Sequence, residues 1–340
     1  MARDTRNLNL ICPNCFGTLN VYGYCQNCRT YAIPVAPSAA VLPPRTILQR
    51  RYFLGKTLGS GGFGITYLAW DLETSTKVAI KEFFPKGYAS RGTDSVCVTV
   101  STQAGTPAFN HWLSAFLDEA QVLTNVVNMP GTVKIEDFFT TNHTAYIVME
   151  YLEGISLRQY ITQRGGRLPM KETLNIMRPV LDALLALHQY GLIHKDISPE
   201  NVQIVKNREV KLMDFGAASL YNKNVTKPYI ILKHGFSPIE LYRTDLKQGP
   251  YSDIYQAGAT IYNCLTGVIP PAAPNRLQKD TLVRPSAYGI HIPLVQENAL
   301  MKSLKVNAKD RYDNMGEFIQ MMYGEFMPPM LHFGGGVKTH

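Results

Sequence analysis

Apolar residues recur along this chain first with a period of two and later with a period near 3.6, and the change divides it. The runs 52–58, 65–71 and 77–82 alternate as strands do, and 133–139 and 144–151 repeat that pattern. Between them, 109–127 has helical spacing through Phe116, Ala120 and Leu123. After Gly154 the character changes. Segments 156–163 and 170–188 read as amphipathic helices, the second with Leu174, Met177, Leu181, Leu184 and Leu185 on one stripe. Short strands are expected at 202–205 and 210–213, then mostly helices to Tyr323. A sheet-rich first third followed by a helical remainder predicts an α+β, two-lobed cleft enzyme.

Composition adds bounds. The 340 residues are 45% hydrophobic and 18% charged, enough for one large two-lobed domain or two ordinary ones, with a real core. No run approaches the ~18 apolar residues of a membrane helix, and the opening Met-Ala-Arg-Asp is not a secretory signal, so no membrane span and a cytoplasmic location are expected. The net charge of +8 is concentrated in the first seventh of the chain, a surplus that a solvated surface explains as well as a nucleic-acid site does. Residues 32–50, with Pro34, Pro37, Pro43 and Pro44, read as an extended linker. The tail 326–340, with Pro328, Pro329 and three consecutive glycines, is expected to be disordered.

Residues 8–31 hold four of the six cysteines. Cys12-Pro-Asn-Cys15 and, nine residues later, Cys25-Gln-Asn-Cys28 form two Cys-x-x-Cys turns that can present four sulfurs to one tetrahedral ion. So short a segment has no core of its own, and Zn²⁺ is expected to supply its stability. A closed four-sulfur site is structural, since catalytic zinc keeps a position open. The segment resembles the small zinc ribbons at the ends of many prokaryotic proteins. Its partner, protein or nucleic acid, is left open by a surface that mixes Arg3, Arg6 and Arg29 with Phe16, Tyr22, Tyr24 and Tyr31. The isolated Cys97 and Cys264 read as small hydrophobes.

Within the large domain, Gly59-Ser-Gly61-Gly62-Phe63-Gly64 lies between two predicted strands, where glycines let backbone N–H groups lie over phosphates. Val78-Ala79-Ile80-Lys81 places a lysine on an otherwise apolar strand, and Glu119 on the next helix is a suitable anionic partner. His194-Lys195-Asp196-Ile197-Ser198-Pro199-Glu200-Asn201 follows a long helix, and Asp214-Phe215-Gly216 follows a strand thirteen residues beyond Asn201. In order and separation these motifs resemble the eukaryotic-like protein kinases, in their bacterial serine/threonine branch, over residues 51–325.

The resemblance implies a two-lobed kinase fold preceded by the ribbon. It also implies that ATP and Mg²⁺ (or Mn²⁺) are bound and that protein serine or threonine hydroxyls are the acceptors. Gly59, Gly61 and Gly64 would cover the nucleotide. Lys81, oriented by Glu119, would hold the α- and β-phosphates, with Asp196 as base and Asn201 and Asp214 holding the metal. Ala79 and Gln203 would flank the adenine, and Glu150 to Leu152 would form the hinge, with Met149 behind it. Glu240 and Arg311 match a buried ion pair, and Asp253 the aspartate that steadies the catalytic loop. Leu123, Ile135, Phe215 and His194 match a stacked apolar column.

Three positions depart from the family. Lys195 replaces an arginine that grips a phosphorylated activation loop, so weaker dependence on phosphorylation of Thr226, Ser219 or Tyr229 is expected. Ser198 replaces a lysine that touches the γ-phosphate, while Lys233 stands where a threonine is usual. This suggests an exchange of cation and hydroxyl, against a plain reading of Lys233 as solvated or substrate-facing. Gln203 and Thr66 replace apolar residues around the adenine. A pseudokinase or ATP-binding scaffold is the alternative these departures raise. Residues 83–110 form a longer connection than the family's, read as an elaboration at a lobe edge.

Overall fold

The structure, a computed structural model, describes residues 7–32, 40–92, 94–101, 105–125, 129–215, 218–220 and 232–324, with backbone alone for Glu119, residues 122–125 and Leu220. The chain forms two units, divided after Leu152, with residues 128–132 belonging to the second. Every element expected between 52 and 213 is present within three residues of its expected bounds.

The first unit begins with a small hairpin, β1 (Tyr24–Cys25) against β2 (Thr30–Tyr31). A six-stranded antiparallel sheet follows from β3 (Ile47–Leu48), β4 (Tyr52–Ser60), β5 (Gly64–Asp71) and β6 (Thr76–Phe83). A second hairpin pairs β7 (Ala89–Arg91) with β8 (Val98–Val100), then come α1 (Thr106–Asn125), β9 (Ile135–Thr141) and β10 (Thr144–Glu150). The order of the main sheet is β3-β4-β5-β6-β10-β9. Tyr67, Leu68 and Ala69 in β5, and Val78, Ala79 and Ile80 in β6, are buried at consecutive positions. Side chains of a strand alternate between faces, so such runs mean the sheet is covered on both. Phe109 and Phe116 of α1 lie against Phe83, with ring centroids 5.2 and 5.5 Å apart, and cover one face.

Leu68 and Trp70 share the register face of Phe83, and the cysteine segment covers that face toward the other end of β5. Ile11 and Phe16 join Phe53 and Leu68 in one buried cluster, bordered by Leu8, Trp70, Leu72 and Tyr151. The β4–β5 ladder slips between Leu54 and Thr57, and the Lys56 N–H donates to the Pro13 carbonyl at 2.9 Å. A Cβ at Gly55 would sit 2.3 Å from that same carbonyl, so only glycine admits the cysteine turn there. Arg45 adds bonds from its guanidinium to the Leu8 and Asn9 carbonyls.

The β7–β8 hairpin gives the long connection a definite anchor. Arg91 donates to Glu82, whose carboxylate also accepts from Tyr67 and Tyr146 at 2.8 Å each. The Arg91 and Glu82 side chains are 2% and 0% exposed, so both charges are paired away from water.

The second unit holds β11 (Gly154–Ser156), α2 (Leu157–Gln163), α3 (Met170–Gln189), β12 (Leu192–Ile193), β13 (Val202–Val205), β14 (Val210–Leu212) and β15 (Ser219–Leu220). Helices α4 (Ile239–Tyr242), α5 (Pro250–Thr266), α6 (Ala273–Gln278), α7 (Leu294–Ser303) and α8 (Met315–Tyr323) complete it. Ser156 caps α2 in a reciprocal box with Gln159. In α3 the buried stripe runs through Ile176, Met177, Val180, Leu181, Leu184 and Leu187. Leu174 and Leu185, expected on it, are half-buried at its margins. Helix α5 is buried from Ser252 to Thr266 on every side. Two of its buried hydroxyls are satisfied within the helix, Thr260 and Thr266 donating to carbonyls one turn back at 2.9 and 2.8 Å.

Candidate active site

The residues between β12 and β13 carry the densest chemistry, and α5 fixes their backbone. Asp253, in the first turn of α5, accepts from the His194 and Lys195 N–H groups at 2.8 Å each. Its carboxylate also meets His188 Nε2 at 2.8 Å. Burial alone raises a carboxyl pKa, but the His188 contact and the N–H donors outweigh it and hold Asp253 below the usual range. One turn on, Gln256 accepts from the Ile197 N–H at 3.2 Å and donates to the Lys195 carbonyl at 2.8 Å.

Burial pushes the His194 ring down to about 4, so it is neutral at pH 7. Its Nδ1 accepts from the Asp196 N–H at 3.2 Å, which leaves Nε2–H to donate to the Met213 carbonyl at 3.2 Å. The ring packs on Phe215, with centroids 4.7 Å apart. Lys195 and Asp214 lie in the left-handed region at φ +63° and +59°, a cost that persists only where surroundings fix it.

Asp196 is the focus of this loop. Its side chain is 4% exposed, and burial, reinforced by Asp214 and opposed by Lys233, pushes its carboxyl up to about 6. Asn201 Nδ2 donates to Asp196 Oδ2 and to its carbonyl, both at 2.8 Å. Lys233 Nζ lies 2.8 Å from Asp196 Oδ1 and donates to Ser198 Oγ at 2.9 Å. Behind these, Arg311 forks onto Glu240 at 2.6 and 3.0 Å, both buried, as the sequence led us to expect.

The other expected residues belong to the first unit. Lys81 is half-buried on β6, paired with Thr66 and Ile147, and Ala79 is paired with Leu68 and Met149. Gly64 approaches the Glu82 carbonyl so closely that a Cβ would lie 2.6 Å from it, whereas a Cβ at Gly59 or Gly61 would meet open space. Glu150 bonds back to Lys134 through its N–H and its carboxylate at 3.0 and 2.8 Å. Gln203, in the second unit, is half-buried on β13 between Ser156 and Lys211. The side chains of Glu119 and Leu123 lie outside the described residues, as do Gly216, Thr226 and Tyr229.

The four cysteine sulfurs lie within 4.8 Å of one another. Cys12–Cys28 and Cys15–Cys25 are separated by 3.6 and 3.5 Å, too long for disulfides. Tetrahedral sulfurs bound at ~2.3 Å stand roughly 3.8 Å apart, close to what is seen. Burial pushes the Cys12 thiol up to about 12 and raises Cys15, while at Cys28 burial is outweighed by hydrogen bonds from Thr30 and the other thiols, which bring it down to about 7.

Gln256, Arg91 and the docking of the cysteine segment were not anticipated. Gln256 was within reach, since it stands one helical turn from Asp253.

Comparison with known proteins agrees with this geometry. The protein kinase domain model matches residues 52–321. Serine/threonine-protein kinase PrkC of Bacillus subtilis is 33% identical over 278 residues, covering 78% of this chain and 39% of PrkC. Serine/threonine-protein kinase PknL of Mycobacterium tuberculosis is 30% identical over 276 residues, covering 78% of this chain and 63% of PknL. The solved PpkA-294 apo form gives a TM-score of 0.73 at 27% identity, covering 83% of this chain and 99% of that one. The chain thus spans less than two thirds of the length of these curated relatives. Among the described residues, no helix is long and apolar enough to cross a membrane. On a family model that spans most of its length, the chain belongs to the protein kinase family.

Proposed function

We propose that this chain is a serine/threonine protein kinase that moves the γ-phosphoryl group of ATP onto protein hydroxyls. The observation that carries the reading is the buried Asp196 carboxylate held by the Asn201 amide on a loop anchored to α5. Asp196 takes the proton of the acceptor hydroxyl. The hydroxyl oxygen bonds to the γ-phosphorus as the bond to the β–γ bridging oxygen breaks, and ADP leaves with that electron pair. A carboxyl near 6 is ionised at pH 7 yet basic enough to share a proton in the transition state. Asn201 and Asp214 would hold Mg²⁺ or Mn²⁺, which neutralises phosphate charge. Lys81, with Glu119, grips the α- and β-phosphates. The open space beside Gly59 and Gly61 leaves room for a phosphate group to approach the turn. Ala79 and Gln203 flank the adenine, and the backbone from Glu150 to Leu152 bonds its edge.

Cys12, Cys15, Cys25 and Cys28 would hold Zn²⁺ in a closed structural site, a reading supported by their sulfur spacing.

The test is incubation of purified protein with Mg²⁺ and γ-labelled ATP beside Asp196→Ala, followed by mapping of the labelled residue. Label on serine or threonine with wild type alone is expected. Saturable ATP binding without label refutes the reading in favour of an ATP-binding scaffold.

A further inference from the structure

A short turn aims Lys233. Its N–H donates to Ser237 Oγ at 2.8 Å, and its carbonyl accepts from Phe236 and Ser237 N–H at 3.0 and 2.9 Å. The side chain then leaves the activation segment and ends between Asp196 and Ser198, at 2.8 and 2.9 Å. The two partners differ from the lysine in exposure. Ser198 is 0% exposed and the Asp196 side chain 4%, while the lysine side chain is 26% exposed. An ammonium has three N–H bonds; Ser198 Oγ takes one, and the ion pair with Asp196 Oδ1 holds the nitrogen beside the carboxylate at which the acceptor hydroxyl must arrive. The partly exposed lysine keeps donor capacity for a further anion. A hydroxyl such as Ser198 cannot neutralise phosphate charge, but it can hold a lysine in one place.

We propose that Lys233 is a catalytic residue whose ammonium contacts the γ-phosphoryl group during transfer, with Ser198 as the positioning residue that fixes it. The proposal rests on the phosphotransfer reading above. In that step the equatorial oxygens of the phosphoryl group carry charge while the acceptor oxygen bonds to phosphorus and ADP departs. A cation held against Asp196 meets that charge without first reorganising. The cation comes from the activation segment, so the position of residues 232–238 governs the chemistry directly and not only substrate access.

The experiment measures kcat, KM and nucleotide Kd with Mg-ATP and histone as a generic basic substrate, each with a melting curve. The proteins are wild type, Lys233→Met, Lys233→Arg, Ser198→Lys and the double variant Ser198→Lys/Lys233→Thr, which returns a cation to the loop and a hydroxyl to the segment. Lys233→Met should lose on the order of 10²-fold in kcat, with nucleotide Kd within about threefold of wild type. Lys233→Arg should recover part of the loss. The double variant should exceed Lys233→Met by about tenfold or more, since the charge is restored from the other side. A Lys233→Met variant within about threefold of wild type in kcat overturns the proposal and leaves the kinase reading standing. A double variant no better than Lys233→Met at equal melting temperature overturns the charge role. No transfer by wild type overturns the phosphotransfer reading and this one with it.

Discussion

Detaching the cysteine segment should destabilise the sheet that carries the glycine-rich turn, and the size of the effect follows from what the segment covers. Phe53 and Leu68 are 1% and 2% exposed beneath Ile11 and Phe16. Re-exposing two such side chains costs about 1.5–3 kcal/mol each, so roughly 3–6 kcal/mol from the sheet side. Truncating the Phe16 ring, 6.2 Å from Phe53 and 5.6 Å from Trp70, falls in the same range at about 3–5 kcal/mol. At about 2–4 °C per kcal/mol for a unit of this size, either change should lower its melting temperature by on the order of 10 °C. The assay is differential scanning fluorimetry of wild type and Phe16→Ala, with and without a high-affinity zinc chelator. Released metal is counted by a colorimetric indicator. Both act on one docking surface, so their effects should overlap and not add. The Lys56 N–H to Pro13 bond also ties the cysteine turn to β4, so ATP KM should rise with the loss. Stoichiometric metal release with a melting temperature unchanged within about 2 °C would refute the argument.

Other consequences are equally direct. Arg91→Ala leaves the Glu82 carboxylate buried without its guanidinium and should cost about 3–5 kcal/mol by chemical denaturation. A double change with Glu82→Gln should recover part of this. Asp196→Asn should abolish transfer yet raise stability at pH 7. The raised carboxyl pKa favours the folded state only where it is protonated, an advantage complete below about 4 and lost as pH rises through about 6. Melting curves of the two proteins should therefore converge below about pH 4 and separate above 6. Asp253, held below the usual range, has the opposite sign. Asp253→Asn should lower the melting temperature at pH 7, with the gap narrowing as acid protonates the wild-type carboxyl.

What was legible in the sequence was chemistry confined to short stretches. The loop from His194 to Asn201 gathers Asp196, Ser198 and Asn201 within eight residues, so its resemblance to a kinase motif could be read directly. Counting back from Glu240 sufficed to single out Lys233, because the activation segment ends at a recognisable ion pair. What was illegible depends on faces and distance. Glu82 follows Lys81 directly, and alternation along β6 sends the two to opposite sides of the sheet. Its partner Arg91 sits on a hairpin whose return no local pattern announces. The docking of the cysteine segment left one trace, Ile11 and Phe16, apolar residues in a segment too small to bury them itself.

The site works against the stability of its own loop. It holds two non-glycine residues at positive φ and a carboxylate pushed toward neutrality, each costing about 1–3 kcal/mol. Such features persist only when rigid neighbours over-determine them. Here the neighbour is α5, the helix buried on every side. Asp253 meets the loop from the N-terminal turn of that helix, where the dipole favours its charge, and Gln256 meets it one turn later. Three loop residues, His194, Lys195 and Ile197, are thus fixed by backbone N–H bonds to Asp253 and Gln256, together with the Lys195 carbonyl bond. The helix itself is held by its packing and not by the loop, so loosening these bonds frees Asp196 before it unfolds α5. Substitutions at Asp253 and Gln256 should accordingly lower kcat at temperatures where far-UV circular dichroism still reports a full complement of helix. Loss of helix in step with kcat would mean that the loop is supporting α5 and not the reverse.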